Sequence, residues 1–271
     1  MAFEHETRAE APIGVFDSGV GGLTILAAIR TALPLEHYVY LGDTAHCPYG
    51  MRSEAEIAEL ALLNCRFLIE QGAKLIVVAC NTASQAALNA LRTTYPTIPF
   101  IGVVPAVKPA AQTTQRGRIG VIATNQAAQA AYLRQLITDF ANGTEVYTAG
   151  CPELVTLAEQ GQFDGPEVEA TLHHALHPLL ERDIDVLVLG CTHFPALRPA
   201  IERVVGPGVQ VIDSGSAIAR RTSTVLGSVN LLRTAHAEGT LQVWCSGDPD
   251  TFSAIASKLL GYTVIAHHAH S

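Results

Sequence analysis

Basic residues are scarce in this sequence. Its 271 residues include 17 lysines and arginines against 25 aspartates and glutamates, which gives a formal net charge of −8 at pH 7. No cluster of lysine and arginine reverses this balance locally, so the field of the whole molecule repels phosphate backbones. We therefore do not expect nucleic acid as the main ligand.

Long apolar runs are also missing. No run approaches the ~18 residues that a membrane span requires. The first dozen residues, MAFEHETRAEAP, are polar and mixed in charge, unlike a signal or transit peptide. These absences predict a soluble cytoplasmic protein that has no membrane partner.

Patterns typical of metals, disulfides and dinucleotides are absent as well. None of the six cysteines forms a C-x-x-C pair, so we interpret all six as thiols. His173, His174 and His177 share a predicted helix but have no acidic or cysteine partner at ligand spacing. The loop DSGVGG lacks the third glycine of a dinucleotide site, where Thr24 stands. The sequence predicts neither a metal site nor a nucleotide cofactor.

Short β-branched runs alternate with longer amphipathic stretches along most of the chain, and 48% of the residues are hydrophobic. This alternation is typical of α/β units with parallel sheets flanked by helices. The predicted strands are Ile13–Phe16, Tyr38–Leu41, Leu75–Ala79, Phe100–Val103, Ile119–Ala123, Glu145–Thr148, Val186–Leu189, Val209–Ile212 and Leu241–Trp244.

The two halves of the chain repeat each other. IGVFDSGVGG from Ile13 is echoed by IGVIATNQAA from Ile119, an offset of 106 residues (119 − 13), and Cys80 is echoed by Cys191, an offset of 111 (191 − 80). The pattern predicts two similar α/β domains related by an approximate twofold axis, with an active site in the cleft between them. Ligands of parallel sheets bind beyond the carboxyl ends of the strands, where both cysteines are predicted to lie.

A matched pair of thiols indicates a particular chemistry. A free cysteine titrates near ~8.5, and a helix N-terminus lowers this value, so one thiol and one thiolate can coexist at neutral pH. One group can then remove a proton from a stereocentre while the other returns a proton to the opposite face. The reaction that fits this pair is racemisation without a cofactor.

Five motifs occur in order over nearly the whole chain: FDSGVGGLT, GDTAHCPYG, ACNTAS, CPELVTLAEQG and LGCTHFP. With them the chain resembles the glutamate racemases of the cofactor-independent aspartate/glutamate racemase superfamily. The resemblance implies glutamate as the substrate, D-glutamate for bacterial peptidoglycan as the product, and a tendency to form homodimers. It also implies a discontinuous first domain, residues 1–98 plus 209–271, and a second domain over residues 99–208.

The resemblance also implies roles for individual residues. Cys80 and Cys191 are the two acid/base groups, Cys80 acting on D-glutamate with Asp17 as its helper and Cys191 acting on L-glutamate with His193 as its helper. The implied substrate contacts are Asp17, Ser18, Tyr49, Gly50, Asn81, Thr82, Thr124, Glu159, Thr192 and His193. At helix starts, backbone N–H groups and hydroxyls can hold the carboxylates of such a substrate.

Structural interpretations of these residues stay open. Several can be ordinary helix caps, turn residues, strand-end residues or solvated helix positions; these are Asp17, Ser18, Tyr49, Gly50, Asn81, Thr82, Thr124, Glu159 and Thr192. Cys47, beside Tyr49, is interpreted as a bystander.

Other functions also stay open. The family pattern has arginine at His46 and threonine at Ala127, so the substrate contacts can differ here. One alternative is an aspartate or related amino-acid racemase. Another is a thiol hydrolase or amidase that uses Cys191 and His193. A noncatalytic two-lobed binding protein would explain a cleft but not a thiol on each wall.

Overall fold

The computed structural model describes residues 8–269, and the chain divides into two compact units. The first unit contains the chain up to Val103 and from Gly215 onward, and the second is Val104–Ser214. The first seven residues of the predicted first domain and the last two residues of the terminal HHAHS lie outside the described residues.

Nine of the strands lie where the sequence predicts them, within one or two residues at each end. In the described residues the strands are β1 (Ile13–Asp17), β2 (Tyr38–Gly42), β3 (Leu75–Val78), β4 (Phe100–Gly102), β5 (Arg118–Ala123), β6 (Glu145–Gly150), β7 (Val186–Leu189), β8 (Gln210–Ile212), β9 (Leu241–Cys245) and β10 (Ala266–His268). The sequence did not predict β10. The short terminal HHAHS is typical of a frayed end, and this interpretation is wrong for His267 and His268, because they pair with β9.

Amphipathic helices connect the strands. From residue 23 onward they are α1 (Leu23–Ala32), α2 (Glu54–Glu70), α3 (Asn81–Thr94), α4 (Val107–Thr113), α5 (Asn125–Gln129), α6 (Ala131–Phe140), α7 (Pro152–Glu159), α8 (Pro166–Leu180), α9 (Arg198–Val205), α10 (Gly215–Ser228) and α11 (Pro249–Leu260). Short 3₁₀ helices lie at Thr44–His46, Tyr49–Met51 and Phe194–Leu197. None of the helices in residues 8–269 has both the length and the apolar character needed to cross a membrane.

The first unit has a six-stranded parallel sheet in the order β10-β9-β2-β1-β3-β4. Side chains alternate between its faces because successive residues of a strand point to opposite sides. Ile13 and Val15 of β1 pack in a core with α1, α10 and α11, whereas Phe16 packs in a second core with α2 and α3. Burial of both faces explains why the strands read as continuous apolar runs.

The second unit repeats the central part of this arrangement. Its parallel sheet has the order β6-β5-β7-β8, which matches β2-β1-β3-β4. The pairing of Ile119 with Val186 corresponds to that of Ile13 with Leu75, at the offsets of 106 (119 − 13) and 111 (186 − 75) seen in the sequence. The α/β class with parallel sheets flanked by helices is thus confirmed, whereas the twofold relation and the cleft stay predictions.

The boundaries between the two compact units lie at different residues from the predicted domain boundaries. The resemblance implies boundaries after residues 98 and 208, whereas the boundaries of the compact units come after Val103 and Ser214. The reason is that β4 pairs with β3, and β8 pairs with β7. Each of these short strands belongs to the sheet of the strand before it, so the boundary between the units comes after the short strand.

Candidate active site

Cys80 lies between β3 and α3, at the amino end of the helix. Its backbone is extended, and its sulfur accepts a hydrogen bond from the Ala83 N–H at 3.4 Å, so the thiol itself caps the helix. The positive end of a helix dipole favours the thiolate form of a cysteine. With only 5% of the residue exposed, Cys80 is a buried thiol in a position that supports its charged form.

The end of β1 carries polar groups to the same edge of the sheet. β1 and β3 run parallel with Phe16 opposite Val78, so both strands end together. The Ser18 hydroxyl lies 3.5 Å from the Cys80 sulfur. Asp17 is fully buried, and its carboxylate accepts the Gly19 N–H at 3.0 Å. The structure therefore brings Ser18 to Cys80 and places Asp17 at the neighbouring strand end.

The first residues of α3 present further donors. Asn81 and Thr82 are each 4% exposed. Within residues 8–269, the Asn81 side-chain nitrogen Nδ2 has no hydrogen-bond partner. A buried amide without a partner costs about 1–3 kcal/mol, a cost that a ligand carboxylate would offset. This observation favours ligand binding over a purely structural role for Asn81.

The segment after β2 supplies Tyr49 and Gly50. Tyr49 is 1% exposed, and its hydroxyl donates a hydrogen bond of 2.6 Å to Asp43. Burial and then the Asp43 carboxylate raise the pKa of Tyr49 far above its usual range. The phenol is therefore part of the fold, so a substrate contact at this segment would come from the backbone N–H groups of Tyr49 and Gly50.

Cys191 follows β7 in the second unit, at the position that corresponds to Cys80 after β3. The residue is 6% exposed, and its sulfur lies 3.5 Å from Nδ1 of His193. The helix that begins after Cys191 is the 3₁₀ helix Phe194–Leu197, and α9 follows it. An imidazole therefore stands beside this thiol, in place of the helix amino end found at Cys80.

Glu159 forms a hydrogen bond with the imidazole of His193. It is the last residue of α7, and its Oε1 forms a hydrogen bond with Nε2 of His193, which is 3% exposed. A carboxylate bound to one imidazole nitrogen fixes the orientation of the ring and stabilises its protonated form. Cys191, His193 and Glu159 thus form a continuous chain through which a proton can be handled.

Two threonines complete the predicted set in this unit. Thr124 is 8% exposed, and its hydroxyl accepts the Ala127 N–H at 3.2 Å, which makes it the amino cap of α5. Thr192 is 3% exposed and directly follows Cys191. Thr124 directly follows the end of β5, in agreement with its interpretation as a strand-end residue, while its use in substrate binding stays a prediction.

The other cysteines are in different surroundings. Cys65 and Cys245 are fully buried, as expected for small apolar side chains, and burial raises the pKa of Cys245 to about 11. Burial also raises the pKa of Cys151 to about 12. Cys47 is partly exposed and forms no disulfide. Cys151 is also buried at a helix amino end, that of α7, but its sulfur accepts no capping hydrogen bond. In the described residues, only Cys80 and Cys191 combine a buried sulfur with a hydrogen bond from a helix amino end or with an imidazole.

Sequence reasoning missed three residues that surround Tyr49. Asp43 is 1% exposed and accepts hydrogen bonds from Tyr49, from Asn64 at 3.0 Å and from Ser246 at 2.6 Å. Asp43 lies inside the motif GDTAHCPYG, so a signal for it was present. Asn64 lies in the largely apolar run ALLNC, and Ser246 lies in the loop after β9; only their spatial contacts identify them.

Comparisons with known proteins agree with this geometry. The profile of the Asp/Glu/Hydantoin racemase family matches residues 23–222. The chain belongs to the Asp/Glu/hydantoin racemase family.

Individual relatives are similar over nearly their whole length. A glutamate racemase of Pseudomonas putida is 46% identical over 92% of this chain and 94% of its own. A crystal structure of a glutamate racemase isoform from Bacillus anthracis has a TM-score of 0.87 at 36% identity, covering 96% of this chain and 97% of its own. That of Escherichia coli glutamate racemase, in complex with L-glutamate and the activator UDP-MurNAc-Ala, has a TM-score of 0.84 at 36% identity, covering 95% and 97%.

Membership in the family gives the two thiols a chemical context. In the first unit Cys80 lies beyond the carboxyl end of β3, and in the second unit Cys191 lies beyond the carboxyl end of β7. Each of these buried cysteines has polar groups beside it that can stabilise a charge. A thiolate that is near a helix dipole and a thiol that is near an imidazole can exchange protons with a weakly acidic carbon.

Proposed function

We propose that this protein is a glutamate racemase that interconverts L-glutamate and D-glutamate without a cofactor. The observation that carries the proposal is the pair of buried cysteines, Cys80 and Cys191, at equivalent strand ends of the two repeated units, each with its own proton-handling neighbours. Full-length similarity to glutamate racemases supports the choice of glutamate.

The reaction transfers two protons at one carbon. One cysteine, as a thiolate, takes the α-proton, and the electron pair of the C–H bond stays on the substrate. The other cysteine, as a thiol, donates its proton to the opposite face of the same carbon. Cys80 acts on D-glutamate and Cys191 on L-glutamate, and each turnover leaves the two thiols in exchanged protonation states, from which the reverse direction begins.

Neighbouring groups lower the cost of this transfer. The substrate carboxylates bind backbone N–H groups and hydroxyls near Ser18, Asn81 and Thr192, and the Asn81 amide gains an acceptor. Donors that already point at a developing negative charge stabilise the transition state because they need no reorganisation. Asp17 and His193 move protons to and from the cysteines, and Glu159 orients His193.

Isotope exchange tests the proposal. In deuterated water, the protein with no added cofactor should remove the circular dichroism of L-glutamate and place deuterium at Cα of the product. L-aspartate is the matched control and should be turned over far more slowly. Preference for aspartate would favour the alternative of an aspartate racemase, and a requirement for pyridoxal phosphate would contradict the two-thiol mechanism.

The chain Cys191–His193–Glu159 favours a second candidate, a thiol hydrolase. A cysteine, a histidine and an orienting carboxylate are the groups that such an enzyme uses. A hydrolase would release a new product from an amide or ester without labelling glutamate at Cα, and it would not depend on Cys80. The exchange experiment on the unsubstituted protein therefore separates the two candidates, and so does Cys80→Ala, which should lose racemisation but would keep a hydrolase activity.

The biological setting follows from the proposed reaction. A racemase of this type supplies D-glutamate to the enzymes that build peptidoglycan, and it does so in the cytoplasm, where the other precursors are made. We further propose that the protein acts as a homodimer. Sedimentation equilibrium checks the last point, because a monomer mass at every concentration would contradict it.

A further inference from the structure

A buried carboxylate joins two loops of the first unit that are 203 residues apart in sequence. Asp43 lies in the loop after β2, which carries Tyr49 and Gly50, and its own N–H donates to the carbonyl of Asp17 at 2.9 Å. Ser246 lies in the loop after β9, the strand that pairs with β2. The two strands end at the same edge, so their loops meet there.

The Asp43 carboxylate accepts hydrogen bonds from four side chains. Oδ1 receives the Ser246 hydroxyl at 2.6 Å and lies 2.8 Å from Nδ1 of His46. Oδ2 receives the Tyr49 hydroxyl at 2.6 Å and Nδ2 of Asn64 at 3.0 Å. Because the same carboxylate binds both hydroxyls, the position of Tyr49 depends on what holds Asp43.

Ser246 contributes more to this connection than one bond. Its hydroxyl also accepts the Ala45 N–H at 3.0 Å, and its own N–H donates to the carbonyl of Gly42 at 3.1 Å. The loop after β2 is therefore held on both sides of Asp43 by one residue of another loop.

The Tyr49 ring packs against Phe16 in the apolar core, but another side of the network is not closely packed. A cavity of about 220 Å³ borders the network and is lined in part by Asp43, His46, Asn64 and Ser246. Where side chains face open space, directional hydrogen bonds rather than close contacts determine the backbone position. The Ser246 hydroxyl is thus one of the few groups that fix this side of the loop.

We propose that Ser246 is a positioning residue for the substrate-contacting segment Tyr49–Gly50 and that it acts through Asp43. The proposal rests on the proposed function, in which the backbone N–H groups of this segment contact glutamate. Ser246 itself touches no reacting atom. Without the Ser246 hydroxyl, the segment Tyr49–Gly50 samples more backbone conformations. The substrate then loses hydrogen-bond donors that were already in place.

Enzyme kinetics test the role of the hydroxyl. In Ser246→Ala, KM for both L-glutamate and D-glutamate should rise about tenfold while kcat changes little, since a hydrogen bond to a charged group is worth about that factor. Ser246→Thr keeps the hydroxyl and should restore KM. The matched control is Ser253→Ala, because Ser253 likewise donates to one oxygen, the Pro249 carbonyl at 2.6 Å, and accepts one N–H, that of Ala266 at 2.9 Å. It should leave KM unchanged.

A double-mutant cycle tests the route through Asp43. Tyr49→Phe removes the other hydroxyl from the same carboxylate, so its effect on KM should not multiply with that of Ser246→Ala. Independent effects of the two substitutions would contradict the route.

Amide hydrogen exchange of the substrate-free protein supplies a measurement that does not need activity. Ser246→Ala should speed exchange in residues 44–51, whereas Ser253→Ala should not. Unchanged exchange there, or an unchanged KM, would overturn the proposal. Failure of the proposed function would instead appear in the unsubstituted protein, as glutamate that keeps its optical activity, and the exchange result would still decide whether Ser246 positions the segment.

Discussion

At the scale of single residues, the surroundings of the six thiols separate acid/base candidates from core residues. The Cys80 sulfur caps a helix, and the Cys191 sulfur lies 3.5 Å from an imidazole. Cys65 has only apolar packing, and burial raises its pKa far above the usual range. A proton acceptor needs a stabilised charged form, which apolar burial does not provide.

Alanine substitutions should show this difference directly. We expect Cys80→Ala and Cys191→Ala each to lower kcat for glutamate racemisation at least about a hundredfold, because a missing acid/base group removes that much catalysis. The control is Cys65→Ala, which should keep kcat and lose only stability. Circular dichroism of glutamate measures the rate, and normal turnover by either of the first two variants would contradict the two-thiol mechanism.

The helpers of the two cysteines require a different measurement. The enantiomers of glutamate have equal free energy in water, so kcat/KM must fall equally in both directions whichever helper is substituted. Isotope effects are free of this constraint, since a slowed proton transfer becomes more rate-limiting. Asp17→Asn should raise the effect of Cα deuterium with D-glutamate, and His193→Asn should raise it with L-glutamate. The reverse assignment, or equal changes in both effects, would show that the helpers are paired wrongly.

At the scale of elements, the packing of α1 against the strand ends determines where Asp17 lies. Gly22 precedes α1, and a Cβ atom built on it would lie 2.4 Å from Cβ of Asp17 and 2.9 Å from the Tyr40 hydroxyl. Its backbone is in the ordinary helical region, so the absence of a side chain, and not conformational freedom, is what the site requires.

Gly22→Ala should therefore displace Asp17 or move α1. We expect racemisation to fall about tenfold or more and the free energy of unfolding to fall by about 1–3 kcal/mol, the usual cost of overpacking. Gly227→Ala in α10 is the matched control, because a Cβ there would lie 3.6 Å from its nearest neighbour, Leu232. Urea unfolding and the glutamate assay check both variants, and equal behaviour of the two would contradict the steric argument.

Elements with strong local patterns could be predicted from the sequence. The apolar runs of β1, β3, β5 and β7 identify buried strands, and the S-x-x-E pattern of Ser53 and Glu56 predicts the capping box that is present at α2. The short β10 could not be predicted, because two of its three residues are exposed histidines and its strand character comes from pairing with β9.

The segments that follow Cys80 and Cys191 differ in structure for a local reason. Pro195 and Pro199 stand four residues apart after Cys191, and Pro199 has no N–H to donate to the Pro195 carbonyl. The α-helix therefore begins only at Arg198, after a 3₁₀ helix. The repeat in the sequence predicted the position of the second thiol but not its surroundings, which depend on these prolines and on contact with α7.

The contacts of the site can also be divided into those that the sequence predicts and those that it does not. Strand ends placed Cys80, Asp17 and Cys191 correctly at carboxyl edges, since the edge follows from parallel topology. The link of Ser246 to Asp43 joins residues far apart in sequence, and no local pattern reports it.

At the scale of the whole molecule, buried thiols make stability depend on pH. Burial raises the pKa of Cys151 to about 12 and that of Cys245 to about 11, and it raises the pKa of Cys65 as well. In the unfolded chain a thiol titrates near ~8.5. Between that value and the folded pKa, the unfolded chain has lost its thiol protons and the folded protein has kept them.

The sign follows from proton linkage. The slope of the free energy of unfolding with pH is proportional to the protons bound by the unfolded state minus those bound by the folded state. This difference is zero well below ~8.5 and negative above it, so the full stability is present at neutral pH and is lost as the pH rises. Each such thiol contributes a slope of at most about 1.4 kcal/mol per pH unit.

Urea unfolding between about pH 8 and about pH 10, in the presence of a reductant, measures this loss. The free energy of unfolding should fall with pH, and Cys65→Ala should fall less steeply because one titrating thiol is gone, although the variant is less stable at neutral pH. Ile57→Val is the matched control: Ile57 is fully buried on the same face of α2, so the substitution loses packing but no titrating group and should keep the original slope. An equal slope in Cys65→Ala and in the unsubstituted protein would mean that Cys65 titrates alike in both states and that its burial does not keep the proton.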